Sequence, residues 1–229
     1  MIVKLNKKAV KWTDAKFVEY IKLIKYLNEF NCIEIIMKKN IILFVEFDDI
    51  IKNDNEVMEK YNERIEKHNH MVKSNMYPDS GFDLLTPNLE DVSFKSNETK
   101  LIPFGLKCAA YHIFDGFVDN LPSYEHIVNN MMHHLNLRVS PQPFCVYPRS
   151  SIWKSHFRLA NNVGIIDSGY RGTLYGPMHN VKNETNTLVY GNRYLQITMP
   201  DLQPFYVSVV DKLKVDSQRG AGGIGSTGN

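Results

Sequence analysis

A change of texture near residue 78 restricts the fold more than any other feature. From there onward, short β-rich runs alternate with Gly, Pro, Asn and Asp, which are turn residues. Frequent short strands separated by turns predict an all-β sandwich or jelly roll. The predicted strands cover residues 100–108, 144–147, 163–166, 187–189, 194–198 and 205–210. We therefore expect residues 76–229 to form a β domain.

Residues 1–75 have a different pattern. They predict a helix, then a hairpin with strands at 33–37 and 41–47, and then a polar helix over residues 54–70. The polar helix has a thin apolar stripe, formed by Val57, Tyr61 and Ile65. We interpret residues 1–75 as a small α/β appendage whose role and partner the sequence does not reveal.

Two segments of the β-rich part are exceptions to its pattern. Ser123 can cap an amphipathic helix that runs to Leu135, so we expect an inserted helical loop around residues 115–140. The chain ends in a glycine-rich tail, residues 219–229. Such a tail cannot pack a core, and we expect it to be mobile unless a ligand orders it.

Composition and charge exclude several classes of partner. The 27 basic and 25 acidic residues leave a net charge of +2, which is too balanced for a nucleic-acid-binding face. The most apolar stretch, residues 32–47, contains Lys38 and Lys39 and is too short to span a membrane. The N-terminus lacks the apolar core of a signal peptide, and three cysteines without metal-site spacing indicate reduced thiols. We expect an intracellular protein of the cytoplasm, with the nucleus or a viral factory as alternatives.

Four short segments contain candidate functional residues. In the tail, successive backbone N–H groups can surround an anion, and Arg219 adds a positive fork. Arg149 and Ser150 lie at a proline-bounded turn and can hold phosphate oxygens. Asp167 follows an apolar strand and is a candidate general base, and Asp83 can hold Mg²⁺ through water. Taken singly, each segment also fits an ordinary turn, loop or linker.

In chain order, these segments resemble the motifs of the trimeric deoxyuridine triphosphate nucleotidohydrolase (dUTPase) family, over about residues 78–229. The similar stretches, which we number first to fifth, are SGFDL at 80–84, PRSS at 148–151, GIIDSGYRG at 164–172, GNRYLQ at 191–196 and RGAGGIGSTG at 219–228. The resemblance implies a jelly-roll homotrimer with three active sites, each built from more than one subunit. It also implies a dUTP diphosphatase, in which water attacks the α-phosphorus of dUTP to give dUMP and pyrophosphate, with Mg²⁺ as cofactor.

The resemblance also implies individual roles. Asp167 deprotonates the attacking water, and Tyr170 packs under the deoxyribose and excludes a 2′-hydroxyl. Asn161 and the backbone after it, including Gly164 and Ile166, read the uracil edge. The phosphate chain is bound by Arg149, Ser150, Ser151, Gln196 and Arg219. The closing tail contributes Ile224, Gly225, Ser226 and Thr227.

Three positions need separate comment. Asp83 is implied to position Mg²⁺ through its water shell. Ser151 stands where the family usually has Gly. Ile224 stands where the family usually has a Phe that stacks on uracil, and the loss of that ring predicts a weaker grip on substrate or slower turnover.

Two alternatives to dUTP hydrolysis stay open. A dCTP deaminase shares the fold, but its chemistry needs a Glu just before the aligned Asn180, and residues 175–179 (YGPMH) contain no acid. A non-catalytic binding or structural protein can also reuse the scaffold. The changes at Ser151 and Ile224 keep that second alternative open. The joint presence of five residues favours an enzyme, because a scaffold does not need them: Asp83, Arg149, Asp167, Tyr170 and Arg219.

Overall fold

The computed structural model describes residues 40–89, 92–113, 139–213 and 220–223. These residues form mainly strands, so the prediction of a mainly β fold is confirmed. The strands are β1 (Asn40–Phe47), β2 (Gly81–Leu85), β3 (Ser93–Phe94), β4 (Thr99–Ile113), β5 (Val139–Gln142), β6 (Phe144–Pro148), β7 (Phe157–Leu159), β8 (Gly164–Ile166), β9 (Thr173–Asn180), β10 (Asn186–Thr187), β11 (Arg193–Thr198) and β12 (Tyr206–Val209). The helices are α1 (Asp49–Lys52), α2 (Asn55–Ser74) and a 3-10 helix, Ser150–Lys154.

Two larger sheets share one core. The six-stranded sheet has the order β12-β1-β4-β9-β7, with β5 also paired to β4, and the four-stranded sheet has the order β2-β11-β6-β8. Strands β3 and β10 form a separate pair. One cluster of buried apolar side chains includes Leu43 and Val45 from the first sheet and Leu84, Leu195 and Ile197 from the second. Two sheets that bury their inner faces together form a sandwich, as the sequence predicted.

Strand β1 lies inside the six-stranded sheet and not in a separate appendage. Leu43 lies opposite Val207 of β12 in a parallel pairing and opposite Ala110 of β4 in an antiparallel one. The predicted boundary between residues 75 and 76 therefore does not hold for residues 40–75, which belong to the same packed unit as the β domain. Both partners of β1 lie far along the chain, so local patterns could not reveal the pairing.

Helix α2 confirms the predicted polar helix and extends it to Ser74. The Asp54 side chain caps it by accepting a hydrogen bond from the Val57 N–H at 3.1 Å. The predicted apolar stripe is buried: Val57 and Tyr61 are fully buried, and Ile65 is 9% exposed. The Tyr61 hydroxyl accepts a 2.8 Å hydrogen bond from the Leu85 N–H, which ties the helix to the end of β2.

Several predicted features lie outside the described residues. They are the first helix and the strand at 33–37 in residues 1–39, most of the helical loop predicted around residues 115–140, and Arg219 with residues 224–229 of the tail. In the part of the chain that the structure does describe, no helix has both the length and the apolarity to cross a membrane.

Candidate active site

A cavity of about 490 Å³ lies beside α2 and the edge of the four-stranded sheet that carries β2 and β11. Helix α2 contributes Arg64, Lys67 and His68 to its lining. The sheet and its loops contribute Asp79, Ser80, Asp83, Arg149, Arg193, Gln196 and Thr198. The cavity therefore unites residues of the first, second and fourth candidate segments, as the sequence predicted for Asp83, Arg149 and Gln196.

The alternation of strand side chains puts three of these residues on the same face of the sheet. Phe82 and Leu84 are buried in the core, so Asp83 between them points to the opposite face. Strand β11 alternates in the same way, and its register sets Gln196 opposite Asp83. Thr198 follows two residues later on the same face.

Asp83 gathers three arginines from three different elements. Its Oδ1 accepts from Nε of Arg149 at 2.7 Å. Its Oδ2 accepts from Nη2 of Arg64 on α2 at 2.6 Å and from Nη1 of Arg193 on β11 at 3.0 Å. Asp83 itself is only 8% exposed. We call these four residues the Asp83 cluster.

The charge balance of the cavity suits an anion. Four cationic side chains and two carboxylates give its lining a net charge of +2; they are Arg64, Lys67, Arg149 and Arg193 against Asp79 and Asp83. Burial lowers the pKa of His68 below its usual value, although the hydrogen bond to the Phe205 carbonyl opposes this, so the imidazole is neutral near pH 7. A concave, cation-rich site of this kind attracts polyanions such as phosphate chains.

Two buried polar atoms of the cavity lining have no hydrogen-bond partner among the described residues. One is Nε of Arg64 and the other is Oγ1 of Thr198. Burial lowers the pKa of the Arg64 guanidinium, while the charge of Asp83 opposes this, and an arginine remains protonated in either case. Native proteins pair nearly all buried polar groups, so two unpaired atoms in one cavity indicate a place for a ligand.

The third candidate segment lies elsewhere in the single chain. Strand β8 is the far edge of the four-stranded sheet, three strand spacings from β2, or about 14 Å across the sheet. Asp167 follows β8 beyond the Ile166–Phe144 pairing, at the end of β6 away from Arg149. The described lining of the cavity includes neither Asp167 nor the predicted uracil residues Asn161, Gly164 and Ile166.

Tyr170 is held in place by its neighbours. Its hydroxyl donates to the Thr173 carbonyl at 2.8 Å. A Cβ on Gly172 would lie 2.5 Å from that hydroxyl oxygen, so the turn after Asp167 needs glycine there to let the ring lie flat on the backbone. The chain thus fixes the ring position beside Asp167 before any ligand binds.

A short piece of the tail, residues 220–223, contacts the third segment of its own chain. The Arg171 N–H donates to the Gly220 carbonyl at 2.8 Å. A Cβ on Gly223 would lie 3.3 Å from the Tyr170 hydroxyl oxygen. The predicted tail residues Arg219, Ile224, Gly225, Ser226 and Thr227 lie outside the described residues, so their predicted roles remain predictions.

The second segment is positioned by its backbone. The Arg149 N–H donates to the Tyr194 carbonyl at 2.9 Å, which fixes the end of β6 to β11. Ser150 and Ser151 follow at the start of the 3-10 helix, and both are exposed. Exposed hydroxyls beside Arg149 are accessible to an incoming ligand.

Among the cavity residues that sequence reasoning did not name are Arg64, Arg193 and Thr198. Arg193 stands inside the fourth segment, so its place in that motif was an available signal. Thr198 could have been found from the two-residue alternation that starts at Gln196. Arg64 had no such signal, because α2 was assigned to an appendage and the contact with Asp83 joins residues of different predicted domains.

Asp83 lies among arginines in the structure, and its expected role of positioning Mg²⁺ through water stays a prediction. Both of its oxygens accept hydrogen bonds from guanidinium groups. Over the described ranges, no cluster of three or more His, Cys, Asp or Glu side chains has the arrangement of a metal site. A carboxylate has about four acceptor positions, so the three guanidinium contacts leave one for a water molecule of a Mg²⁺ shell.

Comparisons with known proteins identify the relatives of the chain. No family model matches it. It is 40% identical over 85 residues to the deoxyuridine 5′-triphosphate nucleotidohydrolase of Escherichia phage T5, a match that spans 37% of this chain and 57% of that protein. It is 31% identical over 150 residues to the protein of the same name from Hahella chejuensis, spanning 65% of this chain and 80% of that protein. For the Azotobacter vinelandii protein of that name, the identity is 30% over 151 residues, 66% of this chain and 82% of that protein.

Solved structures give a weaker likeness. A dUTPase from Streptococcus mutans aligns with 20% identity and a TM-score of 0.36, covering 58% of this chain and 82% of that one, and this score adds no weight to the assignment. The sequence relatives are sufficient by themselves, because two of them are at least 30% identical over four fifths of their length. The chain belongs to the deoxyuridine 5′-triphosphate nucleotidohydrolase (dUTPase) family.

Proposed function

We propose that the protein hydrolyses dUTP to dUMP and pyrophosphate. The observation that carries this proposal is the cavity in which Asp83, Arg149, Arg193 and Gln196 meet, although they come from three separate segments of the chain. Its net positive charge and its volume suit the polyphosphate of a nucleotide. Membership of the dUTPase family indicates which nucleotide it is, namely dUTP.

The phosphate chain is the part of the substrate that the single chain explains best. Arg149 and Arg193 present guanidinium groups whose planar forks match phosphate oxygens. Gln196 and Ser150 add neutral donors next to them. Phosphoryl transfer depends on positioning and charge neutralisation more than on covalent chemistry, so a preformed cluster of cations is the main contribution that a protein can make.

Residues of the third segment activate the water molecule that attacks the substrate. Asp167 acts as the general base that deprotonates the water for in-line attack on the α-phosphorus, and it is exposed, so water can reach it. Tyr170 supports the deoxyribose and leaves no space for a 2′-hydroxyl. Asn161 and the backbone at Gly164 and Ile166 bind the uracil edge.

These two groups of residues are too far apart to act together within one chain. We therefore propose a homotrimer in which the third segment of one protomer completes the phosphate cavity of its neighbour. The position of β8 supports this, because it is an edge strand and carries Ile165, an apolar side chain that is 75% exposed in the single chain.

Magnesium has a limited place in this proposal. Mg²⁺ binds oxygen ligands and often reaches an active site together with the phosphates of the substrate, whose charge it neutralises. Asp83 holds the Asp83 cluster, and its remaining acceptor position can bind a water molecule of the Mg²⁺ shell.

Pyrophosphate release from dUTP by the purified full chain, with Mg²⁺ present, tests the activity directly. An Asp167→Asn variant should lose turnover while it still binds the nucleotide, because the amide cannot accept the proton of the water. Asp211→Asn is the matched control, as it removes the same charge from an exposed position outside the cavity. Absence of pyrophosphate with the wild-type protein would refute the function. Near-normal turnover in Asp167→Asn would remove Asp167 from its role.

A mixture of two inactive variants tests the shared site. Asp167→Asn and Arg149→Gln chains, coexpressed with different tags, should form mixed trimers. If each site uses Asp167 from one protomer and Arg149 from its neighbour, about a quarter of the sites in randomly mixed trimers contain both native residues. Activity well above that of either variant alone supports the shared site, and its absence in verified mixed trimers contradicts it.

The choice of nucleotide separates this function from deamination. Profiles over dUTP, dCTP, dTTP and UTP should show pyrophosphate from dUTP and no ammonia from dCTP. Residues 175–179, where a deaminase would need its glutamate, contain no acid.

A further inference from the structure

Helix α2 forms part of the cavity wall, although nothing in the sequence motifs assigns it a role there. Arg64 lies on the flank of the helix, between the buried positions Tyr61 and Ile65. Its side chain is 28% exposed and reaches Asp83 with Nη2 at 2.6 Å. That contact uses only a part of the guanidinium group, which has five N–H donors.

An unpaired donor of Arg64 indicates that the cavity binds a ligand. Its Nε is buried without a partner, and so is Oγ1 of Thr198, which lines the same cavity from β11. The two atoms belong to elements far apart in the chain. They therefore give two independent signs that the cavity receives a ligand with acceptor atoms.

Phosphate is the acceptor chemistry that fits both atoms. A phosphate group has several charged oxygens, which can accept from the Arg64 guanidinium and from a hydroxyl at the same time. The net charge of +2 in the cavity lining favours a group with more than one negative charge over a single carboxylate.

The helix turn that carries Arg64 is also anchored to the sheet on both sides. Tyr61, one turn before it, accepts from the Leu85 N–H at the end of β2. His68, one turn after it, bonds to the Phe205 carbonyl at 2.8 Å and packs against Phe82 of β2. A cation that the fold fixes in this way loses little conformational entropy when an anion binds.

We propose that Arg64, together with Thr198, binds a phosphate group of the substrate, so that α2 is a working part of the nucleotide site. The identity of the nucleotide rests on the proposed function. The contact of Arg64 and Thr198 with a phosphate group does not depend on which nucleotide binds. Inorganic pyrophosphate therefore serves as the probe for it.

Calorimetric titration of the full chain with pyrophosphate tests the proposal at constant ionic strength. Arg64→Gln should weaken binding by about tenfold or more, because it removes charge-assisted hydrogen bonds. Lys73→Gln is the matched control: it removes the same charge from the same helix at an exposed position outside the cavity, and should change affinity by less than about twofold. Arg64→Lys should recover part of the loss, since it restores the charge but not the fork.

Thr198→Val gives a second test that keeps the helix intact. The substitution preserves the shape of the side chain and removes the unpaired hydroxyl. It should weaken pyrophosphate binding by about three- to tenfold without lowering the melting temperature.

In steady-state kinetics, Arg64→Gln should raise KM for dUTP by a similar factor to the loss of pyrophosphate affinity, with a smaller change in kcat.

The outcomes separate the two proposals. Equal pyrophosphate affinity in folded Arg64→Gln and Lys73→Gln, or no pyrophosphate binding by the wild-type protein, overturns the role of Arg64. Arg64-dependent pyrophosphate binding supports it, even if the wild-type protein fails to hydrolyse dUTP, a result that would refute the proposed function alone.

Discussion

Replacement of Asp83 by Asn should destabilise the protein, and pyrophosphate should reverse much of the loss. The substitution preserves the shape of the side chain but removes the charge that three arginines share. Asp83 is only 8% exposed, so little water can replace it as a partner. In the variant, the guanidinium groups of Arg64, Arg149 and Arg193 face one another around a neutral amide.

The exposure of the three arginines sets the size of the effect. Their side chains are 28%, 25% and 42% exposed, for Arg64, Arg149 and Arg193 respectively. Loss of one partner from a fully buried ion pair costs about 3–5 kcal/mol, whereas an exposed pair is worth about 0–1 kcal/mol because solvent screens it. At intermediate exposure we expect the free energy of unfolding to fall by about 2–3 kcal/mol in total. For a domain of this size, that lowers Tm by about 5–10 °C.

An anion should then replace the missing carboxylate. The variant cavity has four cations against one carboxylate, so its attraction for pyrophosphate increases. Ligand present at about 100 times its Kd stabilises a folded protein by about 2.7 kcal/mol. Pyrophosphate should therefore raise Tm more in Asp83→Asn than in the wild-type protein.

Thermal melts with pyrophosphate, or with chloride at equal ionic strength, measure both effects. Asp79→Asn is the matched control, because it removes the same charge from the lining of the same cavity and no ion pair of Asp79 is found among the described residues. If Asp83→Asn melts within about a degree of Asp79→Asn in chloride, the three ion pairs contribute no net stability and the reasoning is refuted. A smaller pyrophosphate shift in Asp83→Asn than in the wild-type protein would refute the anion exchange.

Three further predictions concern the core. Burial raises the pKa of Glu46, but hydrogen bonds from Lys107 and the backbone of residue 213 lower it more. The stabilisation by Glu46 is therefore complete above about pH 4.5 and is lost as the pH falls through the folded pKa. In urea denaturation between pH 3 and 7, Glu46→Gln should reduce the loss of stability at acid pH. Gly176→Ala should cost about 1–3 kcal/mol in urea denaturation, since a Cβ there would lie 2.7 Å from Leu195 Cδ1. Burial raises the pKa of the Cys108 thiol, so a thiol reagent applied to the native protein should leave Cys108 unmodified in mass-spectrometric mapping. Labelling of Cys108 in the folded protein would contradict this prediction.

The sequence predicts the strands that obey simple patterns. All six predicted strands of the β-rich part have counterparts, with ends that differ by a few residues. Strand β9 was not among the predicted strands, and it contains Gly176 and Pro177, two residue types that are typical of turns. In the structure, Gly176 lies against Leu195 and Phe104, where a side chain would clash, so the glycine serves close packing and not a turn.

The candidate site shows a similar division. The motif resemblance placed Asp83, Arg149 and Gln196 in one site, and in the structure all three line one cavity. It did not predict that Asp83 would pair with arginines, since a carboxylate in a motif looks the same whether its partner is a metal ion or a cation. Arg64 was invisible for a physical reason: a polar helix with a thin apolar stripe is ordinary, and only the tertiary pairing of residues 40–75 with the β domain brings it to Asp83.

The Asp83 cluster suggests how an anion site can stay ordered while it is empty. Three guanidinium groups in one cavity repel one another, and without a central negative charge they would turn toward solvent. One buried carboxylate holds all three in place but neutralises only a third of their charge. The excess charge remains available for the substrate, and the geometry is set before it arrives, so binding does not have to supply the cost of gathering the cations. Lys67, which also lies on α2, is the fourth cation of the cavity lining, and it adds to that excess charge without contacting Asp83 in the described structure. Residues 40–75 thus belong to the same packed unit as the β domain and supply two of the four cations that line the cavity.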